Sequence, residues 1–332
     1  MKKIIDRKFC VAPMMGYTTP YARNLYRILS KKTFLFSEMI ATKTLIHSKN
    51  AQSVIANQQQ NPIALQVGGS EYDDLKLCSK LAYELSYDEI NLNVGCPSKA
   101  VQKGSFGACL MQDKKLVRNC LEAMQINKNI EVSIKCRIGL GKYFNYDFFE
   151  DFIDEILKSG VKLIYIHARN AILTGISPKG NRNIPPLNYD FVSKIKSKYP
   201  DITFILNGGI NSIEEALKLS KKHDGVMLGR LVQNNPFCLK DIDRLFYNET
   251  DKYIISEQTI KDYFSFIRPK IGNDSIYRLL SPLLNVFFGI PDSKKFKIDI
   301  HSKMKDHNFD ALERIFLKFV NEKKLLINEK GF

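Results

Sequence analysis

Cys96 is the side chain whose surroundings point most directly to chemistry. It lies in the segment NLNVGCPS, residues 91–98, and the loop that follows contains Gly104 and Gly107. An ordinary thiol has a pKa of about 8.5, so it is mostly protonated at neutral pH and can act as a general acid. On a glycine-flanked loop it can also move over a substrate. We therefore expect a functional role for Cys96.

The other cysteines are expected to serve packing or to lie at the surface. No two cysteines form a C-x-x-C pair, and no spacing is typical of zinc or iron–sulfur ligands, so we expect no metal. Free thiols, the lack of a signal peptide and the lack of an apolar run of about 18 residues predict a cytoplasmic protein without a membrane span. The remaining cysteines are Cys10, Cys78, Cys109, Cys120, Cys136 and Cys238.

Two glycine-rich turns predict a phosphate site. The first contains Asn207, Gly208 and Gly209, and the second ends in Gly229 and Arg230. Backbone without side chains can approach an anion closely, and the last two turns of an α/β barrel often bind phosphate. An ordinary turn between strand and helix is the alternative interpretation. Four further polar residues end predicted strands and would converge on the same mouth. They are Gln66, Asn93, Lys135 and His167.

Eight short apolar runs rich in β-branched residues alternate with amphipathic stretches over the first 230 residues. This pattern predicts repeated βα units and a (β/α)₈ barrel, with a doubly wound open sheet as the alternative. The expected helices between the runs include Glu71–Leu85 and Phe148–Ser159. The predicted strands are Phe9–Pro13, Phe34–Glu38, Ile63–Val67, Glu89–Asn93, Val132–Arg137, Leu163–His167, Thr203–Asn207 and Gly225–Gly229.

The strand pattern stops after Asp241. Helical periodicity follows over Ser256–Ile267, Ile276–Phe288 and Phe309–Val320, with breaks at glycine and proline. We therefore predict two domains, a barrel over residues 1–240 and an all-α domain over residues 241–332.

The net charge of +15 favours a polyanionic partner, either nucleic acid or an anionic membrane surface. Residues 1–240 carry +13 of this charge and residues 241–332 carry +2. The excess therefore lies on the predicted barrel.

The sequence resembles the tRNA-dihydrouridine synthases, and specifically their A-type subfamily. The matching segments run in order from residue 11 to residue 230, and weaker similarity continues at FFGIPDSKKFK, residues 287–297. The segments NLNVGCP and SPK…NR…IPPL are the most specific. The others are VAPMMGYTTPYAR, LFSEMIAT, PIALQVGGS, SIKCRIG, LNGGINS and DGVMLGR.

The resemblance implies an FMN-containing TIM barrel with a helical C-terminal domain that reduces uridines 20 and 20a in the D-loop of tRNA. Hydride would pass from NADPH through FMN to C6 of the uracil, and Cys96 would supply the proton at C5. The resemblance assigns RNA contacts to Asn93, Lys179, Arg182, Lys294 and Lys297, and it implies no obligatory protein partner. The implied FMN contacts are Pro13, Met14, Gln66, Lys135, His167, Asn207, Gly208, Gly209, Gly229 and Arg230.

Two positions depart from the family pattern. Thr19 stands in the pair Thr18-Thr19 where the family commonly has Thr-Asp, which puts a local helix cap in doubt. Cys136 stands where Thr is usual, and we interpret this change as a packing substitution.

Two other functions fit part of the sequence. An FMN barrel that acts on a free small molecule would share the glycine turns, but it would not need Lys179, Arg182 or a helical RNA-docking domain. An inert RNA-binding or flavin-storing protein would not need Cys96, Lys135 and His167.

Overall fold

A closed parallel barrel forms the first part of the computed structural model, which describes residues 5–55, 59–284, 286–287 and 289–329. Its strand order is β1-β9-β8-β7-β6-β5-β4-β2, and the short β3 pairs with β4 outside this path. The strands are β1 (Phe9–Val11), β2 (Leu35–Phe36), β3 (Ile40–Ala41), β4 (Ile63–Gly68), β5 (Glu89–Val94), β6 (Glu131–Arg137), β7 (Leu163–His167), β8 (Thr203–Asn207) and β9 (Gly225–Leu228).

Phe34 closes the circle between β1 and β2. The Val11 N–H donates to the Phe34 carbonyl at 2.9 Å, and the Phe34 N–H donates to the Phe9 carbonyl at 3.0 Å. This closure confirms the predicted (β/α)₈ barrel over the open sheet. The first strand ends earlier than predicted because Pro13 has no N–H to donate to the ladder.

Alternation along each strand sorts the core into two parts, since successive side chains point to opposite faces. One set, including Leu65, Leu92 and Ile134, packs outward against the helices. The other set points into the barrel, where Phe36, Tyr165 and their neighbours form a separate apolar layer. Five polar residues share the inward parity, and each lies within the last three residues of its strand, at one mouth of the barrel: Gln66, Asn93, Lys135, His167 and Asn207.

Helices follow the strands around the barrel. Several begin at side-chain caps, such as Asn145, whose Oδ1 accepts from the Phe148 N–H at 2.8 Å. This cap explains why α7 begins two residues before its predicted start. The helices up to residue 247 are α1 (Pro20–Leu29), α2 (Thr42–His47), α3 (Lys49–Ile55), α4 (Tyr72–Glu84), α5 (Lys99–Lys103), α6 (Lys114–Met124), α7 (Tyr146–Leu157), α8 (Tyr189–Lys198), α9 (Ile213–Ser220), α10 (Arg230–Asn234) and α11 (Ile242–Tyr247).

The two departures from the family pattern leave their elements intact. Thr19 Oγ1 accepts from the Ala22 N–H at 3.2 Å, so a threonine serves as the α1 cap. Cys136 is buried on the outer face of β6, and this burial raises the pKa of its thiol to about 12.

Every described element after Asp241 is helical. Phe287, Phe296 and Phe319 form an aromatic core in this region, with ring centroids 4.5–5.0 Å apart. The division at residue 240 stays a prediction; α11 lies beyond it in sequence yet packs on β1 through Phe246 and Phe9. Phe288 and residues 330–332 lie outside the described residues. The later helices are α12 (Glu257–Ile267), α13 (Ile276–Leu284), α14 (Ser293–Lys305), α15 (Phe309–Glu322) and α16 (Lys324–Glu329).

Polar contacts made by Lys240 and Tyr21 join the barrel to the region after residue 241. The Lys240 ammonium donates to the carbonyls of Ile327 and Asn328 at 3.0 and 2.9 Å, and the Tyr21 hydroxyl donates to Asp274 at 2.9 Å. Within the described ranges, no helix has the length and apolar character needed to cross a membrane.

Candidate active site at the carboxyl end of the barrel

A cavity of about 610 Å³ opens where the strands end. Its floor is made by the inward-facing side chains of successive strands, because parallel strands all end at the same rim. Its volume falls in the range typical of cofactor sites. The predicted residues that line it are Pro13, Met14, Gln66, Asn93, Cys96, Lys135, His167, Arg182, Asn207, Gly208, Gly209, Gly229 and Arg230.

The Cys96 loop is held in place at several points. Asn93 Oδ1 accepts from the backbone N–H groups of Gly95 and Cys96 at 3.2 and 3.0 Å. The Arg137 Nε donates to the Gly95 carbonyl at 2.9 Å, and the Ala108 N–H donates to the Cys96 carbonyl at 2.9 Å. The loop is thus bonded to β5, β6 and the segment at Ala108, and we call it the Cys96 platform.

Gly107 and the Cys96 thiol define the local shape of that platform. Gly107 has φ +79°, and a Cβ there would lie 2.6 Å from the Cys96 carbonyl oxygen, so only glycine allows this approach. The half-buried Cys96 thiol lies 3.5 Å from the Ser98 hydroxyl and faces the cavity. Of the other cysteines, Cys109 is half-buried and the rest are buried.

Cations dominate the electrostatics of the cavity. Burial lowers the pKa of Lys135 to about 8 and that of Arg137 to about 10, and nearby cations contribute to both shifts. Burial, together with the charges of Arg137, Lys135, Arg169 and Arg230, holds the pKa of His167 well below its usual range. His167 is therefore neutral at pH 7. No Asp or Glu lines the cavity among the described residues, so an anionic ligand would stabilise the Lys135 ammonium.

Asn207 and the two glycines after it shape the opposite wall. Asn207 accepts from the Lys135 ammonium at 3.0 Å and donates to the Met227 carbonyl at 2.7 Å. Gly208 has φ +114°, and a Cβ there would lie 2.5 Å from the His167 ring; a Cβ on Gly209 would lie 2.2 Å from Leu187. The turn therefore requires glycine and exposes bare backbone to the cavity, as a phosphate site needs.

Arg230 links this wall to the loop after β7. Its guanidinium donates to Asn183 Oδ1 at 2.5 Å and to the Arg182 carbonyl at 3.4 Å. Arg182 lines the cavity, whereas Lys179 is exposed on the same loop beside it. The arrangement places positive charge along the rim after β7 and β9.

Lys294 and Lys297 do not line this cavity. They lie on α14, where Lys294 is exposed and Lys297 is half-exposed. Among the residues that the structure describes, no group of three or more His, Cys, Asp or Glu side chains is arranged to hold a metal ion.

Several lining residues were not among the predicted site residues. Arg137 follows Lys135 by two positions on β6, so the strand period of two was the signal that would have included it. Tyr17 and Met15 line the entrance and are half to two-thirds exposed; they lie in the segment VAPMMGYTTPYAR but beyond the strand, so the strand period does not mark them. Met39, Ser98 and Phe106 enter the wall from loops that only the tertiary fold brings together.

Comparison with known proteins found a matching family profile and similar proteins in other organisms. The sequence profile of the family described as dihydrouridine synthase (Dus) matches residues 10–278. A tRNA-dihydrouridine(20/20a) synthase of Shewanella oneidensis is 38% identical over 296 residues, 89% of this chain and 88% of that protein. The Escherichia coli K12 protein of the same description is 39% identical over 292 residues, 87% of this chain and 84% of that protein.

A solved structure shares the fold at low identity. The old yellow enzyme homologue from Zymomonas mobilis aligns with a TM-score of 0.51 and 12% identity, over 77% of this chain and 92% of that chain. At this identity the likeness concerns the fold alone, and it agrees with the barrel described above.

Replacing Lys135 with Met is expected to stabilise the ligand-free protein at pH 7. Folding lowers the pKa of Lys135 from about 10.4 to about 8, so the ammonium opposes folding fully below pH 8. Loss of the hydrogen bond to Asn207 offsets part of the gain, which leaves roughly 1–2 kcal/mol.

Urea unfolding of the native protein and the variant at pH 7 and pH 10 measures this effect. The advantage of the variant should shrink toward pH 10, because the folded protein then holds a neutral lysine, and releasing that proton from an unfolded-state pKa of about 10.4 costs little at this pH. A Lys135→Met protein that is less stable than the native chain at pH 7 would contradict the conclusion that the buried Lys135 ammonium opposes folding.

Proposed function

Because the chain belongs to the dihydrouridine synthase family, we propose that it reduces uridine to 5,6-dihydrouridine in tRNA, at positions 20 and 20a of the D-loop. The observation that carries the proposal is the distribution of groups around one cavity. The Cys96 thiol follows β5, and the bare backbone turn at Gly229 follows β9, four strands away around the ring. An acid and an anion site therefore face each other across the mouth.

The residues of the cavity fit FMN. The Gly208-Gly209 and Gly229-Arg230 turns suit its phosphate, and Lys135 and His167 suit the polar edge of a flavin ring. Bound FMN, reduced by NADPH, supplies the hydride that is added to C6 of the uracil. The residues proposed to hold it are Pro13, Met14, Gln66, Lys135, His167, Asn207, Gly208, Gly209, Gly229 and Arg230.

Lys135 and His167 have different electrostatic roles in this proposal. The Lys135 ammonium, with its pKa lowered to about 8, gains stability from any negative charge that appears beside it. His167 remains neutral among the surrounding cations, so it can donate one hydrogen bond without adding a further charge. Asn207 holds the Lys135 ammonium in position at 3.0 Å.

Cys96 is proposed to be the general acid. Hydride addition at C6 leaves negative charge on the uracil, and the Cys96 Sγ gives its proton to C5. Arg137 Nε donates to the Gly95 carbonyl at 2.9 Å and Asn93 Oδ1 accepts from the Cys96 N–H at 3.0 Å, so both hold the backbone just before the Cys96 side chain. The thiol is thus held at the cavity wall, and the reacting base has to be brought to it.

RNA docking is proposed to use the positive rim. Arg182 lines the mouth and Lys179 lies exposed beside it, so both can reach phosphates next to an extruded base. Asn93 would touch the base at the cavity floor, and Lys294 and Lys297 on α14 would contact the RNA further out. Because tRNA is its proposed substrate, the protein is also proposed to act in the cytoplasm.

Incubation with unmodified tRNA, FMN and NADPH tests the function. Nucleoside mass spectrometry should detect dihydrouridine in tRNA, and sequencing of the product should locate it at positions 20 and 20a. NADPH consumption that is independent of tRNA, with no dihydrouridine formed, would instead favour an FMN barrel that acts on a small molecule.

Replacing Cys96 with Ala should separate the two half-reactions. We expect FMN binding and its reduction by NADPH to proceed at native rates, because neither needs a proton from the thiol. Reoxidation by tRNA should slow by roughly 10²–10⁴-fold, the usual contribution of general acid catalysis. Anaerobic stopped-flow absorbance of the flavin measures both steps.

Cys109→Ala is the matched control for this variant. Cys109 is also half-buried and lies close in sequence, but it does not line the cavity. It should reoxidise at the native rate. A Cys96→Ala enzyme that reoxidises as fast as this control would end the assignment of Cys96 as the acid.

Replacing both Lys179 and Arg182 with Ala should weaken tRNA binding and leave FMN content unchanged. Each lost phosphate contact removes counterion release, so the slope of log K against log salt should flatten by roughly 1–2 units. The control replaces Lys128 and Lys162, two exposed lysines that precede β6 and β7 at the opposite end of the barrel. Equal slopes for the two double variants would remove Lys179 and Arg182 from the interface.

A further inference from the structure

A continuous chain of hydrogen bonds runs along the inside of the barrel beneath the cavity. Asn93 Nδ2 donates to Gln66 Oε1 at 2.8 Å, and Gln66 Nε2 donates to Asn91 Oδ1 at 2.8 Å. Asn91 Nδ2 donates to the Ser133 hydroxyl at 2.7 Å, and that hydroxyl donates to Glu89 Oε1. We call Glu89, Ser133, Asn91, Gln66 and Asn93 the interior hydrogen-bond chain.

The charge at the lower end fixes the direction of this chain. The Arg7 Nε and Nη2 contact Glu89 Oε2 at 2.9 and 2.7 Å, and the Tyr165 hydroxyl contacts it at 3.1 Å. Burial raises the pKa of the Glu89 carboxyl, and Arg7 opposes that rise and so favours the carboxylate. A carboxylate only accepts hydrogen bonds, so the hydrogen of Ser133 must point to Glu89.

Each further link then has only one possible orientation. The Ser133 oxygen has to accept, so Asn91 must turn its NH₂ group downward and its carbonyl oxygen toward Gln66. Gln66 must in turn offer NH₂ to Asn91 and its oxygen to Asn93. Asn93 finally presents its own oxygen to the Cys96 N–H, at 3.0 Å. A reversed amide anywhere would set two donors or two acceptors against each other.

Asn91 and Ser133 are fully buried and do not line the cavity. They cannot touch a ligand, whereas Gln66 and Asn93, one and two links further on, do line it. From this we infer that Asn91 and Ser133 are positioning residues, which fix the amide atoms that Gln66 and Asn93 present to the flavin and the uracil. The inference rests on the function proposed above for this cavity.

Tyr165 provides the comparison that separates positioning from ordinary core stability. Its hydroxyl bonds the same carboxylate and accepts from the Arg7 Nε at 3.1 Å, but it is not a member of the interior hydrogen-bond chain. Tyr165→Phe therefore removes buried hydrogen bonds from the same cluster while leaving every link to the cavity in place. Asn91→Leu and Ser133→Ala break those links.

The experiment compares these three variants with the native enzyme in four measurements. Urea unfolding reports stability, and the midpoint potential of bound FMN reports the polar groups around the flavin. Steady-state assays with NADPH give kcat and KM for unmodified tRNA. Hydrogen exchange of the Asn93 side-chain amide, in ligand-free protein labelled with ¹⁵N-asparagine, reports the chain without any ligand.

Asn91→Leu should lower kcat by roughly 10–100-fold with KM for tRNA nearly unchanged, because misplaced groups affect the reaction step most. Ser133→Ala should lower kcat by about 3–10-fold, because Asn91 keeps its hydrogen bond to Gln66 but loses the one that fixes the orientation of its amide. Both variants should shift the midpoint potential and speed Asn93 exchange by about 10-fold or more. Tyr165→Phe should lose stability and leave kcat, potential and exchange at native values.

The inference is overturned if Ser133→Ala and Asn91→Leu match Tyr165→Phe in kcat, potential and Asn93 exchange. If Asn91→Leu does not fold, Ser133→Ala decides alone. A native enzyme that forms no dihydrouridine would refute the proposed function, and Asn93 exchange would still test the interior hydrogen-bond chain.

Discussion

The closed barrel imposes one constraint from which the site follows: every second side chain of each strand points into a narrow shared interior. Apolar residues such as Phe36 and Tyr165 fill one layer of it, and a polar residue in another layer must find a partner there. The inward positions of β5 and β6 are polar throughout, and β4 adds Gln66 beside the apolar Ala64. They satisfy one another from Glu89 up to Asn93, and that mutual dependence carries order from the closed end of the barrel to the cavity.

The positive charges around the cavity above this layer lack matching negative charges among its described lining residues. No Asp or Glu lines it among the described residues, and Lys135, Arg137 and Arg230 all point into it. Burial lowers the pKa of both Lys135 and Arg137, so each charge costs free energy in the ligand-free protein. A site that binds an anion can tolerate this cost, because binding offsets it. The electrostatic strain and the bare backbone at Gly208 and Gly209 point to the same class of ligand.

The sequence allowed the strand ends to be predicted because alternation and β-branched runs are local signals. Gln66, Lys135, His167 and Asn207 occupy inward positions within the last three residues of their strands, and two predicted strands, Leu163–His167 and Thr203–Asn207, have the observed limits. Tyr17, Met39 and Phe106 could not be predicted in this way, since they reach the cavity from loops whose paths depend on tertiary contacts. The role of Arg137 in fixing the Cys96 loop is likewise a contact between distant segments.

The hydrogen bonds that hold the Cys96 platform bear on how a reaction on RNA has to proceed. The glycines around the loop suggested motion, yet Gly107 is needed for a close backbone approach and the loop is bonded to β5, β6 and the segment at Ala108. Pre-formed geometry avoids ordering the thiol at each turnover, so the conformational cost shifts to the substrate base, which has to leave its stack at a few kcal/mol. Phosphate contacts at a positive rim can offset a cost of that size. The exposed cations at Lys179 and Arg182 beside the mouth are suited to such contacts, while the Cys96 backbone is bonded in place inside it.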